Sequence, residues 1–295
     1  MTRSSGMPPR DIVLVLIVVV AFGSNFTAMK FVLAEIPPYL FTALRTGILL
    51  PILFFLPKPD VPWLRIIAIG AFIHVGQFGL LFSALEKDAT AGLGSLLIQA
   101  QVPFTMLLAA LLFGERMRLL QVLGVAVALS GLGIFALSAG GNLSLLGLGL
   151  ILLGALSWAL GNLVLRKTPS AHPMTLPLWA GVVPVIPMTL LSMAFENPAP
   201  IAVLSEVSLQ GWMSVAYVSV ASVIVGYTLW SLLLSRHPAA DVTPFALLIP
   251  VVGIATAALI LGETLTHFEL VGTVTVFAGL TLAVLGPRWQ DRHHG

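Results

Sequence analysis

The chain has 295 residues, 58% of them hydrophobic and only 9% charged, with a mean hydropathy of +1.04. Soluble domains carry about a quarter charged residues, so this chain cannot cover a water-facing surface and reads as a polytopic membrane protein. Fourteen basic and 12 acidic residues leave a net charge of +2, so the pI near 9.2 is no sign of nucleic-acid binding. The absence of cysteine excludes disulfides, thiolate catalysis and cysteine-held metals.

Hydropathy marks ten spans of about 20 residues. In chain order they cover residues 11–33, 39–57, 63–85, 92–113, 118–138, 145–165, 174–195, 210–234, 242–262 and 267–286. Turn residues hold the connections: Pro37-Pro38, Pro57 to Asp60, Gly140-Gly141-Asn142, Pro169 to Pro173, and Asn197 to Pro200. The first span follows Arg3 and Arg10 and contains a passable cleavage site at Ala21-Phe22-Gly23. Its apolar run continues well past that point, so it is expected to stay as a span.

Orientation follows from Lys and Arg. With the N-terminus in the cytoplasm, the inner side receives Arg3, Arg10, Lys58, Arg65, Arg116, Arg118, Arg166, Lys167, Arg236, Arg288 and Arg292. The outer loops receive only Lys87, and Lys30 and Arg45 fall within spans. The expected topology is N-in and C-in, which requires an even number of spans.

The chain also resembles itself. Residues 109–115 read AALLFGE and residues 257–263 read AALILGE. Gly124, Gly131 and Leu132 fall on Gly272, Gly279 and Leu280 at the same offset, and Pro103 falls on Pro250. Asn25 and Lys30 match Asn162 and Lys167. The division is two five-span units, residues 1–140 and 141–295. Five is odd, so the second unit enters the membrane from the opposite side. The halves are then related by a pseudo-two-fold axis in the membrane plane, an arrangement found in transporters that alternate access to a site between their repeats. The fold class is all-α, with ten transmembrane helices in two inverted five-helix repeats.

The Gly-Ser-Asn-Phe…Lys element of the first span, Ala43-Leu44-Arg45 of the second and the Gly-Glu pairs closing the fourth and ninth together resemble the EamA-type drug/metabolite transporter superfamily. Within it the chain is most similar to the bacterial YddG-type exporters of aromatic amino acids. The resemblance covers nearly the whole chain. It implies a central cavity lined mainly by spans 1, 3, 4, 6, 8 and 9, with spans 5 and 10 packed together at the edge. Gly124 with Gly131, and Gly272 with Gly279, support that packing, because small residues let helices approach closely in lipid.

A polar side chain facing lipid is costly, so those within spans are expected to face the protein interior or a wet cavity. Near mid-depth lie Asn25, His74, Gln77, Gln99, Gln101 and Ser222. At helical spacing His74 and Gln77 share one face, and so do Ser95 and Gln99, while Gln101 points elsewhere. Phe78, Trp158 and Tyr227 could stack on an aromatic substrate, and Asn162 is the repeat counterpart of Asn25. Packing against a neighbouring helix is the plainer role for each. The expected substrate-binding set is Asn25, His74, Gln77, Phe78, Ser95, Gln99, Trp158, Asn162 and Tyr227. Pro103 and Pro250 are expected to bend their spans, as hinges or as static kinks. Lys30 and Glu263 are expected at an outer gate, with Lys30 paired to Glu263 or Glu86 or meeting a departing carboxylate. Trp63, Trp212 and Trp289 read as interface residues.

All 12 carboxylates fall at span ends, in loops or in the tail. A permanent cation would find no counter-charge at depth, so a zwitterionic or neutral solute fits better. His74 is the one deep group that titrates near neutrality, which leaves proton coupling and facilitated export both open. No phosphate loop, zinc motif or paired deep carboxylates support an enzyme, and Ser83 or Ser95 near His74 makes a poor nucleophile. Scattered polar residues do not supply the polar stripe of a channel. The expectation is a cofactor-free, monomeric exporter in a bacterial inner membrane. Its substrate would be an amino acid, aromatic ones preferred, with multidrug or other amphipathic metabolite export as the alternative.

Overall fold

A computed structural model describes residues 7–137, 141–168 and 175–293, without side-chain detail at 221–224, 227–228, 231, 239–240 and 287–293. Its helices are α1 (Pro9–Leu33), α2 (Pro38–Phe55), α3 (Trp63–Lys87), α4 (Ala91–Phe113), α5 (Leu119–Leu137), α6 (Leu145–Arg166), α7 (Leu176–Phe195), α8 (209–236), α9 (Thr243–Leu261) and α10 (His267–His293). Lipid offers no hydrogen bonds, so a spanning segment must satisfy its backbone internally, and the apolar runs form helices.

Among the described residues nine helices are long and apolar enough to cross a membrane. The pair Pro200–Glu206 and Leu209–Val220, bent by 107°, would make a tenth. The short helix Pro200–Glu206 lies where the sequence suggested only a loop. The two expected limits at 138 and 174 lie outside the described residues.

Several spans are not uniform. Helix α2 is α-helical over Pro38–Gly47 and ends as a 3-10 helix, Leu50–Phe55. Helix α7 is interrupted between Ala180 and Val185, next to Pro184. Helix α3 widens to a π-helix over Gly70–Phe78, and α8 does so over Tyr217–Ala221. The sequence offset of 147 that puts Pro103 on Pro250 also puts Gly70 on Tyr217. Helices α4 and α9 each contain a 3-10 stretch, Ile98–Ala100 and Thr243–Leu248. Pro103 and Pro250 follow those stretches in the first turn of the next α segment, where the missing N–H costs little. A bend was expected at each proline; what stands beside each is a change of helix type, from 3-10 to α.

The helices pair in a pattern that survives exchange of the halves. Helix α1 packs on α9 and α8, and α6 packs on α4 and α3; α5 meets α10, α2 meets α7, and α4 meets α9. At the α5–α10 crossing, a Cβ added at Gly124 would run into the backbone of Ala283, and one at Gly279 into the backbone of Ala128. Gly131 and Gly272 sit against Val276 and Phe135 on the same crossing. This is the edge pair expected from the glycines.

Helices α4 and α9 both end on a left-handed glycine, Gly114 at φ 67° and Gly262 at φ 69°. These are the positive-φ residues among the described ones, and each opens the Gly-Glu pair of the repeated motif. A residue with a Cβ is strained in that conformation.

Candidate functional site

Helix α1 is held on two sides. Toward α9, Gly23 lies against Ile249 and Val252, and Thr27 Oγ1 donates to Thr256 Oγ1 at 3.0 Å. Toward α8, Ser24 Oγ and the Tyr217 hydroxyl are 2.7 Å apart, and Phe22 covers Gly226. Asn25 lies on a third side, on the helix face that carries Met29 and Val32. It is buried, and its Oδ1 accepts no hydrogen bond.

Helix α6 repeats the scheme. Toward α3, Ser157 Oγ donates to the Phe72 carbonyl at 2.8 Å, while Gly154 and Gly161 lie against Gln77 and Ile73. Toward α4, Asn162 Nδ2 donates to Gln101 Oε1 at 3.0 Å. Asn162 is therefore partnered by Gln101, a residue left out of the expected binding set. Gln99 is buried in the 3-10 stretch two residues earlier. Ser95 is also buried, but its Oγ donates back to the Gly92 carbonyl at 2.7 Å and its side chain lies against Gly253 of α9. That contact places Ser95 at the crossing of α4 and α9. Trp158 is half-buried against the main apolar cluster. The Tyr227 and Ser222 side chains lie outside the described residues.

The π stretch of α3 corrects one expectation. A π turn is closed by i→i+5 hydrogen bonds, so neighbours on a face are spaced more widely than three residues. His74 accordingly stacks on Phe78, with ring centroids 6.3 Å apart and planes at 18°. Its Nε2 lies 3.0 Å from the Pro177 carbonyl of α7, and its Nδ1 has no hydrogen-bond partner. Gln77 is separately buried, with Oε1 unpartnered. A buried acceptor left without a donor costs about 1–3 kcal/mol, and Asn25 and Gln77 each carry one.

Beyond Phe78 the aromatic run continues to Phe82, at 5.4 Å, and from there to Phe41 of α2, at 4.6 Å. Over the Phe78 ring sits the guanidinium of Arg45, its Cζ 3.6 Å from the centroid. Arg45 is 7% exposed. It lies seven residues into α2, about 10 Å along the helix from Pro38. The sequence placed it within a span but not in the site. Its basic charge inside a span was the signal.

The ends of the bundle differ. At one end Glu263 Oε1 and Oε2 accept from the Ala91 and Gly92 amides at 2.8 and 2.9 Å. The carboxylate thus caps the first turn of α4, where the helix dipole favours negative charge. Lys30 donates to the Leu85 carbonyl rather than closing an ion pair, and Glu86 pairs with Lys87 at 3.3 Å. The expected Lys30–Glu263 or Lys30–Glu86 bridge is therefore replaced by a bond to backbone. At this same end Glu269 holds Asn142 and the Thr266 amide, and Ser144 Oγ donates to Asp88 at 2.7 Å. A cavity of about 330 Å³ opens there between Lys30, Asp88 and Asn142. At the other end Glu115, the repeat counterpart of Glu263, bonds Arg166 at 2.6 Å. Asp11 meets Arg236 at 3.4 Å and His237 at 2.6 Å.

Two more carboxylates cross between the halves at the Glu263 end. Glu196 accepts from the Tyr39 and Leu40 amides at 2.6 and 3.1 Å. Glu35 accepts from the Ser208 amide and hydroxyl, both at 2.6 Å, while the Ser208 hydroxyl caps α8 through the Gly211 amide. The bonds from Ser208 hold the Glu35 carboxyl below its usual value of 4.5. A depressed carboxylate contributes stability above its unfolded pKa and loses it as pH falls through the folded one. Glu35→Gln is therefore expected to lower the melting temperature at pH 7. In melts recorded down to acid pH, the gap to wild type should close below about pH 4.5; a gap independent of pH would contradict the contact. Among the described residues no group of His, Asp or Glu could hold a metal ion.

Known proteins resemble this chain in four cases. The sequence model of the EamA-like transporter family matches residues 10–137 and 145–285. The chain is 37% identical over 290 residues to a Salmonella typhimurium protein named "Probable amino-acid metabolite efflux pump", covering 96% of this chain and 97% of that one. An Escherichia coli protein of the same name is 37% identical over 292 residues, with 96% and 98% covered. A solved crystal structure at 18% identity and TM-score 0.60 covers 95% of this chain and 99% of its own, which shows a shared fold.

Proposed function

The chain belongs to the EamA-like transporter family and is a multi-pass protein of the bacterial inner membrane, and from that premise we propose that it exports amino acids, aromatic ones preferred, by alternating access. One observation carries the proposal. The helix pairing survives exchange of the two halves, yet among the described residues the Gly-Glu carboxylate caps the neighbouring helix at one end only. Glu263 holds the start of α4, whereas Glu115 holds Arg166 and not the start of α9. Two copies of one unit in opposite orientations could exchange these contacts, closing one end while opening the other.

In this reading there are ten spans in two inverted repeats, 1–140 and 141–295, with both termini in the cytoplasm. The Glu263 end is then the periplasmic one, and it is shut. Matching π and 3-10 breaks in the two halves support the repeat, as does a family match to each half. Asn25, Gln77, Gln99, Asn162 with Gln101, His74, Phe78, Trp158 and Tyr227 are proposed as the lining of the path, with Pro103 and Pro250 as its hinges. Their amides and rings suit a zwitterion with an aromatic side chain, and the names of the 37%-identical relatives point to amino acids. The protein would act as a monomer.

Liposomes containing purified protein and loaded with labelled phenylalanine test this. Protein-dependent efflux is expected, and absence of flux for every amino acid tried would refute the substrate. Efflux that stops when the pH gradient is collapsed would mark proton coupling, for which the unpartnered Nδ1 of His74 is the candidate carrier.

A further inference from the structure

We propose that the cavity between Lys30, Asp88 and Asn142 is a binding site for a zwitterion, with the carboxylate on Lys30 and the ammonium on Asp88. The inference rests on the transport reading above. It adds a station outside the shut end, where an exported amino acid is held before release.

The cavity has fixed walls. Its volume of about 330 Å³ lies at the small end of ligand sites, which run to about 300–1,000 Å³. Residues 88–90, between α3 and α4, and residues 141–144, before α6, line it together. A β-bridge at Ala89 and Leu143 joins these segments. The Thr90 amide donates to the Asn142 carbonyl at 3.2 Å, and the Ser144 amide to the Asp88 carbonyl at 2.9 Å. The Thr90 and Ser144 hydroxyls cap α4 and α6 by accepting from the Leu93 and Gly147 amides. Backbone groups of the wall are thus engaged with one another, which leaves side chains to meet a solute.

Those side chains offer both signs of charge. The Lys30 ammonium gives one of its three donors to the Leu85 carbonyl at the end of α3, and two remain. Asp88 accepts from Ser144 through Oδ1, and its second oxygen remains. Asn142 spends both Nδ2 protons, on the Thr264 carbonyl and on Glu269, so the group it has left is the Oδ1 acceptor. Lys87, which also lines the cavity, is matched by Glu86. A simple anion would meet the Asp88 charge here, and a simple cation would meet Lys30. A zwitterion satisfies both.

The repeat argues against a purely architectural role. Lys30 falls on Lys167, whose ammonium lies 4.3 Å over the Phe113 ring at the other end of the bundle. At the offset that puts Pro103 on Pro250, Asp88 falls on Ser235. The other end therefore repeats the cation without the acid. The pair of charges belongs to one end only, and it is the end from which an exported solute would leave.

The chain has no cysteine, so Gly141→Cys on the cavity wall reports occupancy. The added carbon would meet Glu269 and Thr266 at ordinary contact distances. In liposomes, a membrane-impermeant maleimide labels it with phenylalanine, 3-phenylpropionate or phenylalaninamide in the outer medium. Saturating phenylalanine is expected to slow labelling about fivefold or more. The other two should need about tenfold higher concentrations, the scale of one charge-assisted hydrogen bond. Adding Lys30→Gln should weaken protection by phenylalanine and 3-phenylpropionate about tenfold and leave phenylalaninamide within about twofold. Asp88→Asn should weaken phenylalanine and phenylalaninamide and spare 3-phenylpropionate. A conformational response to a solute bound elsewhere would not sort the solutes in this way. Ser205→Cys, exposed at the same end but outside the cavity, should show no protection. Elution profile and melting temperature confirm that each variant is folded. Equal protection by phenylalanine and phenylalaninamide would overturn the proposal without any further variant. Equal losses for all three solutes in the folded variants would overturn it too. Protection without efflux of phenylalanine would refute the export reading and leave the site standing, whereas efflux without protection would do the reverse.

Discussion

Gly124→Ala and Gly279→Ala are each expected to lower the melting temperature by about 5–10 °C, although each adds a single methyl group. The helices α5 and α10 touch backbone to backbone at these positions. The added carbon at Gly124 meets Ala283, and the one at Gly279 meets Ala128. Neither obstacle is a flexible side chain, so the helices must separate along a crossing that also includes Gly131 and Gly272. Overpacking of this kind costs about 1–3 kcal/mol, sometimes more, and lipid provides no hydrophobic drive to restore the contact. Gly133 provides the control. It lies on the same helix, and a Cβ there meets nothing within 4 Å. Gly133→Ala should be neutral or slightly stabilising, because alanine is the better helix former. Equal effects at Gly124 and Gly133 would mean that the α5–α10 crossing is not as close as described.

The second large effect is expected at Glu263. Its two oxygens hold two amides of α4, and hydrogen bonds to charged groups are worth about 1.5–3 kcal/mol each. Glu263→Ala should release that end of α4 and slow transport. The chain has no cysteine, so a single engineered one reports opening without background. Ala89 is 3% exposed and lies beside the lock. In an Ala89→Cys protein, Glu263→Ala is expected to raise the rate of labelling by a membrane-impermeant maleimide about tenfold or more. Glu115→Ala should leave it unchanged, because Glu115 is bonded to Arg166 at the other end. An unchanged rate in the Glu263 variant would rule out the carboxylate as a lock.

These contacts were legible in the sequence to different degrees. The apolar runs fixed the helices because nothing but a helix satisfies the backbone in lipid. The repeated Gly-Glu pair pointed to matching helix ends, and both glycines take the left-handed conformation. The glycines of α5 and α10 announced a close crossing. What the sequence could not show was which partner each polar group chose. Lys30 and Glu263 looked like an ion pair, but backbone groups exposed at helix ends competed for both. Ser95 was expected in the binding set, and nothing in the sequence marked its close contact with Gly253 of α9. The shared face of His74 and Gln77 assumed a regular α-helix, and helix type depends on tertiary packing that pattern reading does not see. Arg45 was visible as a charge within a span, but its stacking on Phe78 required two helices to be placed side by side.

The π stretches carry a mechanical consequence. A helix wound more loosely than its flanks stores spare length and leaves the segments on either side out of phase. Rewinding one such turn as an α-helix would swing a flank by about 100° and advance it by about 1.5 Å. Every backbone hydrogen bond would be exchanged rather than lost, which matters where an unpaired group has no water to turn to. Helix α3 holds nine residues wound this way and α8 five. Each can therefore turn one half of its length like a screw while the other half stays seated. A side chain could leave the path and another enter it without either helix moving as a whole.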